Sequence, residues 1–117
     1  MVTLNKIYTK AGDGGKTRLG DNSEVEKTDT RVDAYGEVDE LNTCLGIALF
    51  YAGNDELLSA LLKQIQNDLF DLGADLCWPI ESTVEGVRRL SVTDAQVVNL
   101  EEQIDEFNKS LEMLRSF

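Results

Sequence analysis

The sequence predicts an all-α fold, an antiparallel helical bundle preceded by an irregular, glycine-rich head. Two observations carry this. Residues 30–115 hold three long stretches whose apolar side chains recur every three or four positions, the spacing of one helix face. No strand–helix–strand alternation occurs in the chain, which removes the parallel α/β classes. Its 117 residues fit one domain with a modest core.

The head covers residues 1–29 and contains Thr9-Lys10-Ala11-Gly12-Asp13-Gly14-Gly15-Lys16-Thr17. The first helix is expected over Thr30 to Ala52, with Val32, Tyr35, Val38, Leu41, Leu45, Ala48 and Ala52 on one face. Thr30 and Asp33 resemble a capping box at its start, and Gly53 and Asn54 close it. The second helix is expected from Asp55 to about Cys77. It carries Leu58, Leu61, Leu62, Ile65, Leu69, Leu72 and Leu76, with Asn54 as N-cap and Pro79 as stop. A polar loop from about Trp78 to Leu90 leads to a third helix over Thr93 to Leu114. Thr93 and Gln96 form its capping box, and Val97, Leu100, Ile104, Phe107, Leu111 and Leu114 form its stripe. Short connections between amphipathic helices make neighbours antiparallel, and stripes as wide as the second helix's call for a further packing partner.

Composition excludes several chemistries. The chain has no histidine, so histidine triads, histidine bases and histidine–metal sites are ruled out. Cys44 and Cys77 are distant in sequence and sit in apolar periodic segments, which reads as two buried free thiols. The formal net charge is −11. Residues 1–31 hold six Lys/Arg against five Asp/Glu, whereas residues 32–117 hold five against seventeen. So acidic a body argues against nucleic acid as a partner. No apolar run reaches the length of a membrane span or a signal peptide, so no membrane partner and a cytoplasmic or organelle-matrix setting are expected.

The head contains a Gly-Lys-Thr tripeptide but is not a P-loop. That motif needs glycine five residues before the Gly15 position, where Lys10 stands, and it needs a buried strand before and a helix after. The ingredients of a phosphate cradle remain. Gly12, Gly14 and Gly15 let the main chain approach a ligand, Lys10, Lys16 and Arg18 supply cations, and Thr9 and Thr17 supply hydroxyls. Asp13 suits a polyphosphate only if it organises the loop or faces Mg²⁺. On these residues alone, a phosphate cradle and a flexible surface turn both stand.

The strings "KIYTKAGDGGKTRLGD" (6–21) and "VEKTDTRVDAYGEVDELN" (25–42), followed by "GIAL", resemble the N-terminal portion of the trimeric ATP:cob(I)alamin adenosyltransferase family. That family carries a T-K-x-G-D-x-G-x-T head, a V-x-K-x-x-x-R-V-x-A-Y-G segment and V-D-E-L-N in its first helix, at this spacing. The resemblance implies a ferritin-like bundle with three of its long helices present. It implies transfer of the 5′-deoxyadenosyl group of ATP to cob(I)alamin, with release of triphosphate, by a cytoplasmic homotrimer using Mg²⁺. Cob(I)alamin is itself a strong nucleophile, so a chain without histidine suits the reaction.

Position by position, the resemblance assigns Thr9, Lys10, Ala11, Gly12, Asp13, Gly14, Gly15, Lys16 and Thr17 to the ATP phosphates, with Lys27 reaching the nucleotide. It makes Asp39 the first-helix aspartate that pairs with an arginine of a neighbouring subunit, and Phe117 the aromatic that shields the corrinoid's lower face. It leaves Arg31 between the site and a structural role at the helix start, and Asn42 as a polar contact. Family members continue with a Pro-Gly-Gly loop and an arginine-rich helix that residues 1–117 do not contain. The implied domain is therefore a nucleotide-binding loop (1–29) and a helical bundle (30–115) with its C-terminal part absent, and little transferase activity is expected of it alone. A non-catalytic ATP- or corrinoid-binding helical module is the alternative.

Overall fold

The computed structural model describes residues 7–82, 89–113 and 115. Three helices dominate: α1 (Thr30–Ala52), α2 (Glu56–Cys77) and α3 (Asp94–Asn108). The head is more ordered than its glycines suggest. Strands β1 (Lys16–Arg18) and β2 (Glu24–Glu26) pair antiparallel, with Lys16 opposite Glu26, Thr17 opposite Val25 and Arg18 opposite Glu24. Asn22, at φ 69°, makes the turn between them, and its N–H donates to the Leu19 carbonyl at 2.9 Å.

The first helix has the expected ends. Its N-cap is Asp29 rather than Thr30, whose expected capping role the structure corrects. The Asp29 carboxylate accepts from the Arg31 N–H at 2.8 Å, where a negative charge also complements the helix dipole. Gly53, at φ 59°, closes α1 in a conformation that a Cβ would strain. In α2, Asp55 replaces the expected Asn54 as N-cap and accepts from the Leu58 N–H at 2.9 Å. The three-residue link 53–55 folds α2 back on α1. Contacts between Arg31 and Leu76 and between Asn42 and Gln66 confirm the antiparallel arrangement.

The seam between α1 and α2 is centred on amides. Asn42 is buried, and its Nδ2 donates to the Gln66 carbonyl at 3.1 Å. Gln66 Nε2 returns a bond to the Asn42 carbonyl at 3.1 Å, and a Cβ on Gly46 would lie 3.5 Å from that nitrogen. Around them Tyr35, Val38, Leu45, Leu49, Leu62, Ile65, Leu69 and Leu72 are half-buried. Each provides only part of the about 1.5–3 kcal/mol that full burial of such a side chain gives. Asn42 is thus a packing residue.

The apolar face expected of α1 is only partly the packed one. Leu41 and Ala48 are exposed, and so are Ile47, Phe50, Tyr51 and Cys44 on the remaining circumference. Cys44 therefore corrects the expectation of two buried thiols, while Cys77 is half-buried. Among the described residues, Leu19 is the buried apolar side chain and Asn42 the buried polar one. The radius of gyration is 18.3 Å, against about 13 Å for a compact chain of this length. The helices form an open, elongated assembly, and among the described residues much of the wide stripes stays exposed.

Helix α3 stands off from α2, leaving an apolar groove of about 200 Å³ lined by Leu58, Leu61, Ile65, Leu100, Ile104 and Phe107. Polar contacts tie its start down. Gln96 accepts the Thr93 N–H at 2.8 Å, as the capping box requires, and its Nε2 donates to Asp68 at 2.9 Å and Asp71 at 3.3 Å. Asp75 pairs with Arg89 and accepts from the Val92 N–H at 3.1 Å. The helix ends at Asn108, short of the expected Leu114. Asn108 is a weak helix former, the Ser110 hydroxyl donates to the Phe107 carbonyl at 3.1 Å, and Leu111 is 67 % exposed with no packing to hold another turn. Leu114 itself lies outside the described residues.

Candidate functional site

The glycine head folds as two consecutive tight turns. The Asp13 N–H donates to the Lys10 carbonyl at 3.2 Å, and the Gly15 N–H donates to the Gly12 carbonyl at 3.1 Å. Lys10 and Gly15 take positive φ, 61° and 88°, to make these reversals. The Ala11 N–H is held by Thr9 Oγ1 at 3.3 Å. The N–H groups of Gly12 and Gly14 take no hydrogen bond among the described residues.

Beside these turns lies a concavity of about 390 Å³ lined by Thr9, Ala11, Gly12, Lys16, Thr17, Arg18, Glu24 and Lys27. The ribbon supplies Lys16, Thr17, Arg18 and Glu24, while the segment leaving β2 supplies Lys27. The Lys27 N–H donates to the Gly15 carbonyl at 2.8 Å, and its side chain lies across Gly12. A Cβ at residue 12 would sit 3.1 Å from both Lys27 Cε and Nζ and 3.2 Å from the Lys16 carbonyl. Glycine at 12 is therefore what lets the ammonium rest against the loop.

Three cations and one carboxylate thus face one pocket. Lys16 Nζ contacts Glu24 Oε1 at 3.0 Å, and Arg18 reaches Glu24 Oε2 at 3.7 Å. The hydrogen bond and charge of Lys16, with a smaller contribution from Arg18, hold the Glu24 carboxyl below its ordinary range. Arg18 is steered by a second bond, from its guanidinium to the Asn22 carbonyl at 2.9 Å. Chemically the pocket suits a compact polyanion, with three cationic side chains gathered beside the Gly12 backbone.

The ribbon is anchored to the helices at its turn. The Gly20 N–H donates to the Cys77 carbonyl at 2.9 Å, and Gly20 lies against the Trp78 ring. Asp21 accepts from the Ser23 N–H at 2.9 Å and also from the hydroxyls of Ser23 and Ser82. Those hydroxyl bonds lower its carboxyl from 3.8 to about 2. Arg31, at the start of α1, donates to the Leu76 carbonyl at 2.8 Å and so fastens the same end of the helix pair.

Of the residues expected at the site, Thr9, Ala11, Gly12, Lys16, Thr17 and Lys27 line the concavity. Asp13, Gly14 and Gly15 form the turns behind it, and Lys10 places its ammonium 5.9 Å from the Tyr8 ring centre. Asp39 lies elsewhere. It lines a larger groove of about 700 Å³ between α1 and α2, with Asn42, Thr43, Lys63, Gln66 and Phe70 among the walls. No residue lines both. Phe117 lies outside the described residues. Glu24 was not foreseen, because it reads as one more acidic surface residue until the strand register places it opposite Arg18.

The described residues define a class: helical proteins that carry a cationic glycine loop, of a chemistry suited to a polyanion, at one end of an antiparallel helix pair. Residues 7–117 match the cobalamin adenosyltransferase family, and the chain belongs to that family. It is 43% identical over 118 residues to the corrinoid adenosyltransferase of Mycobacterium leprae (strain TN), covering 99% of this chain and 62% of the relative. The corrinoid adenosyltransferase of Mycobacterium tuberculosis (strain ATCC 25618 / H37Rv) is 44% identical, with 99% and 60% covered. A solved variant of the PduO-type ATP:corrinoid adenosyltransferase from Lactobacillus reuteri, complexed with cobalamin and ATP, superposes with a TM-score of 0.85 at 37% identity, covering 96% of this chain and 61% of that one. The chain thus spans about three-fifths of the length of these relatives.

Proposed function

We propose that this chain carries the nucleotide-phosphate side of an enzyme that transfers the 5′-deoxyadenosyl group of ATP to cob(I)alamin. The observation that carries the reading is the pocket of Lys16, Arg18 and Lys27 beside the Gly12–Gly15 turns, in a member of this family. In the reaction a cobalt–carbon bond forms at C5′ and the C5′–O bond breaks, so negative charge builds on the departing triphosphate. Lys16, Arg18, Lys27 and the Gly12 backbone, which line the pocket, would stabilise that charge, which is where such a reaction gains most from the protein. No side-chain base is required of this pocket.

Mg²⁺ would accompany the phosphates. Among the described residues no group of three or more metal-ligating side chains is present. Asp13 is the one loop carboxylate, which fits an ion held largely by phosphates and water. Asp39 would serve at an intersubunit contact and Phe117 at the corrinoid. A homotrimer is the assembly the family reading implies, and association of copies would cover the exposed Phe50, Tyr51, Leu57 and Phe70. No helix among the described residues is long and apolar enough to cross a membrane.

The test is calorimetric titration with MgATP of the chain and its Lys27→Ala variant, followed by addition of reduced corrinoid with the absorbance change monitored. Loss of about tenfold in affinity for the variant is expected for one charge-assisted phosphate contact. Equal affinities would remove Lys27 from the site. Adenosylcobalamin formation would favour the enzyme over the non-catalytic module, and absence of ATP binding by the parent would remove both. A trimeric mass by sedimentation tests the assembly.

A further inference from the structure

Glu24 occupies the wall that the phosphates would use. In the β1–β2 register Lys16 stands opposite Glu26, yet its ammonium reaches diagonally to Glu24 at 3.0 Å. Arg18, directly opposite Glu24, lies 3.7 Å from its other oxygen. One carboxylate therefore holds two of the three cations that line the pocket, and it lines that pocket itself. Lys27 is the third cation, and Glu26 is the other acid on the same strand face.

We propose that Glu24 is an internal counter-ion of the phosphate site, which a polyphosphate must displace from Lys16 and Arg18 in order to bind. This rests on the nucleotide reading above. The carboxylate keeps the two cations oriented and offsets one of their two charges while the pocket awaits a ligand, and its charge weakens the ligand's hold on them. All the groups involved are solvent-accessible, so the opposing effect is that of an exposed ion pair, about two- to fivefold in affinity. Salt screens it.

The experiment titrates inorganic triphosphate and MgATP into the purified chain and its Glu24→Gln, Glu24→Asp and Glu26→Gln variants at low and high ionic strength. Glu24→Gln is expected to tighten both ligands about two- to fivefold at low salt, with the gain shrinking at high salt. Glu24→Asp restores the charge and should return affinity toward the original value, and Glu26→Gln should gain less. Unchanged or weaker binding by Glu24→Gln, with the parent still binding, overturns the counter-ion role alone. An equal gain from Glu26→Gln overturns it too, since any lost negative charge would then suffice. If neither parent nor variants bind, the nucleotide reading falls and takes this inference with it. The emission of Trp78, against which the ribbon turn packs, reports whether the ribbon stays docked. Weakened binding with shifted emission would assign Glu24 to the fold instead.

Discussion

Replacing Gly20 by alanine tests whether the phosphate loop is held by the end of α2. A Cβ at this position would lie 2.8 Å from Trp78 Cε3 and 3.4 Å from the Cys77 carbonyl. The first distance is closer than carbon atoms approach, and the obstacle is a ring plane rather than the tip of a flexible chain. The Gly20 N–H is also bonded to the Cys77 carbonyl at 2.9 Å, so the backbone cannot withdraw without losing that bond. Overpacking of this kind costs about 1–3 kcal/mol. Alanine restricts the unfolded chain and returns about 0.4–1 kcal/mol of that. The net expectation is destabilisation of up to about 2.5 kcal/mol. Trp78 is the sole tryptophan, so its emission follows the contact directly during urea unfolding. A shifted native emission, a lower urea midpoint and weaker triphosphate binding should appear together. Unchanged emission and midpoint would show that the ribbon is not anchored there.

Asn42→Ala should lower stability by about 0.5–1.5 kcal/mol in urea unfolding, since it removes a buried amide and its bond to the Gln66 carbonyl, which sits inside α2. The Asp21 carboxyl is lowered from 3.8 to about 2, so its contribution is complete above about pH 4 and is lost as pH falls through about 2. Acid titration of Trp78 emission should show that loss, and Asp21→Asn should flatten it. Gln96→Ala removes the α3 N-cap acceptor and the bonds to Asp68 and Asp71, and faster amide exchange is expected in residues 94–100 while α1 keeps its protection.

How much was legible in the sequence varies with the range of the interaction involved. The bounds of α1 could be read because its long periodicity and Gly53 agree, although the cap expected at Thr30 fell one residue earlier, on Asp29. The capping pair of α3 could be read for the same reason, whereas its end could not. Leu111 continues the pattern, but a helix face without a packing partner does not sustain another turn. The β1–β2 ribbon escaped because strands of three residues are too short to show alternation, and its Gly-Asp-Asn turn was embedded in other polar residues. Within the site, Thr9 to Thr17 and Lys27 were legible as a motif. Glu24 was not, because its role exists only across a strand pair. The packing role of Asn42 was hidden similarly, since its partner lies on the next helix.

The reciprocal amide bonds between Asn42 and Gln66 also restrict how the molecule can move. Sliding α1 along α2 would break both bonds until main-chain carbonyls one turn along came into reach, at a cost of about 0.5–1.5 kcal/mol for each. Small screw and piston displacements of this helix pair are therefore opposed. Any rearrangement on ligand capture falls instead to the ribbon, whose bonds to the helices are few, and to α3, which rests on a groove rather than a packed seam. The α1–α2 pair is the fixed frame against which those two parts can shift.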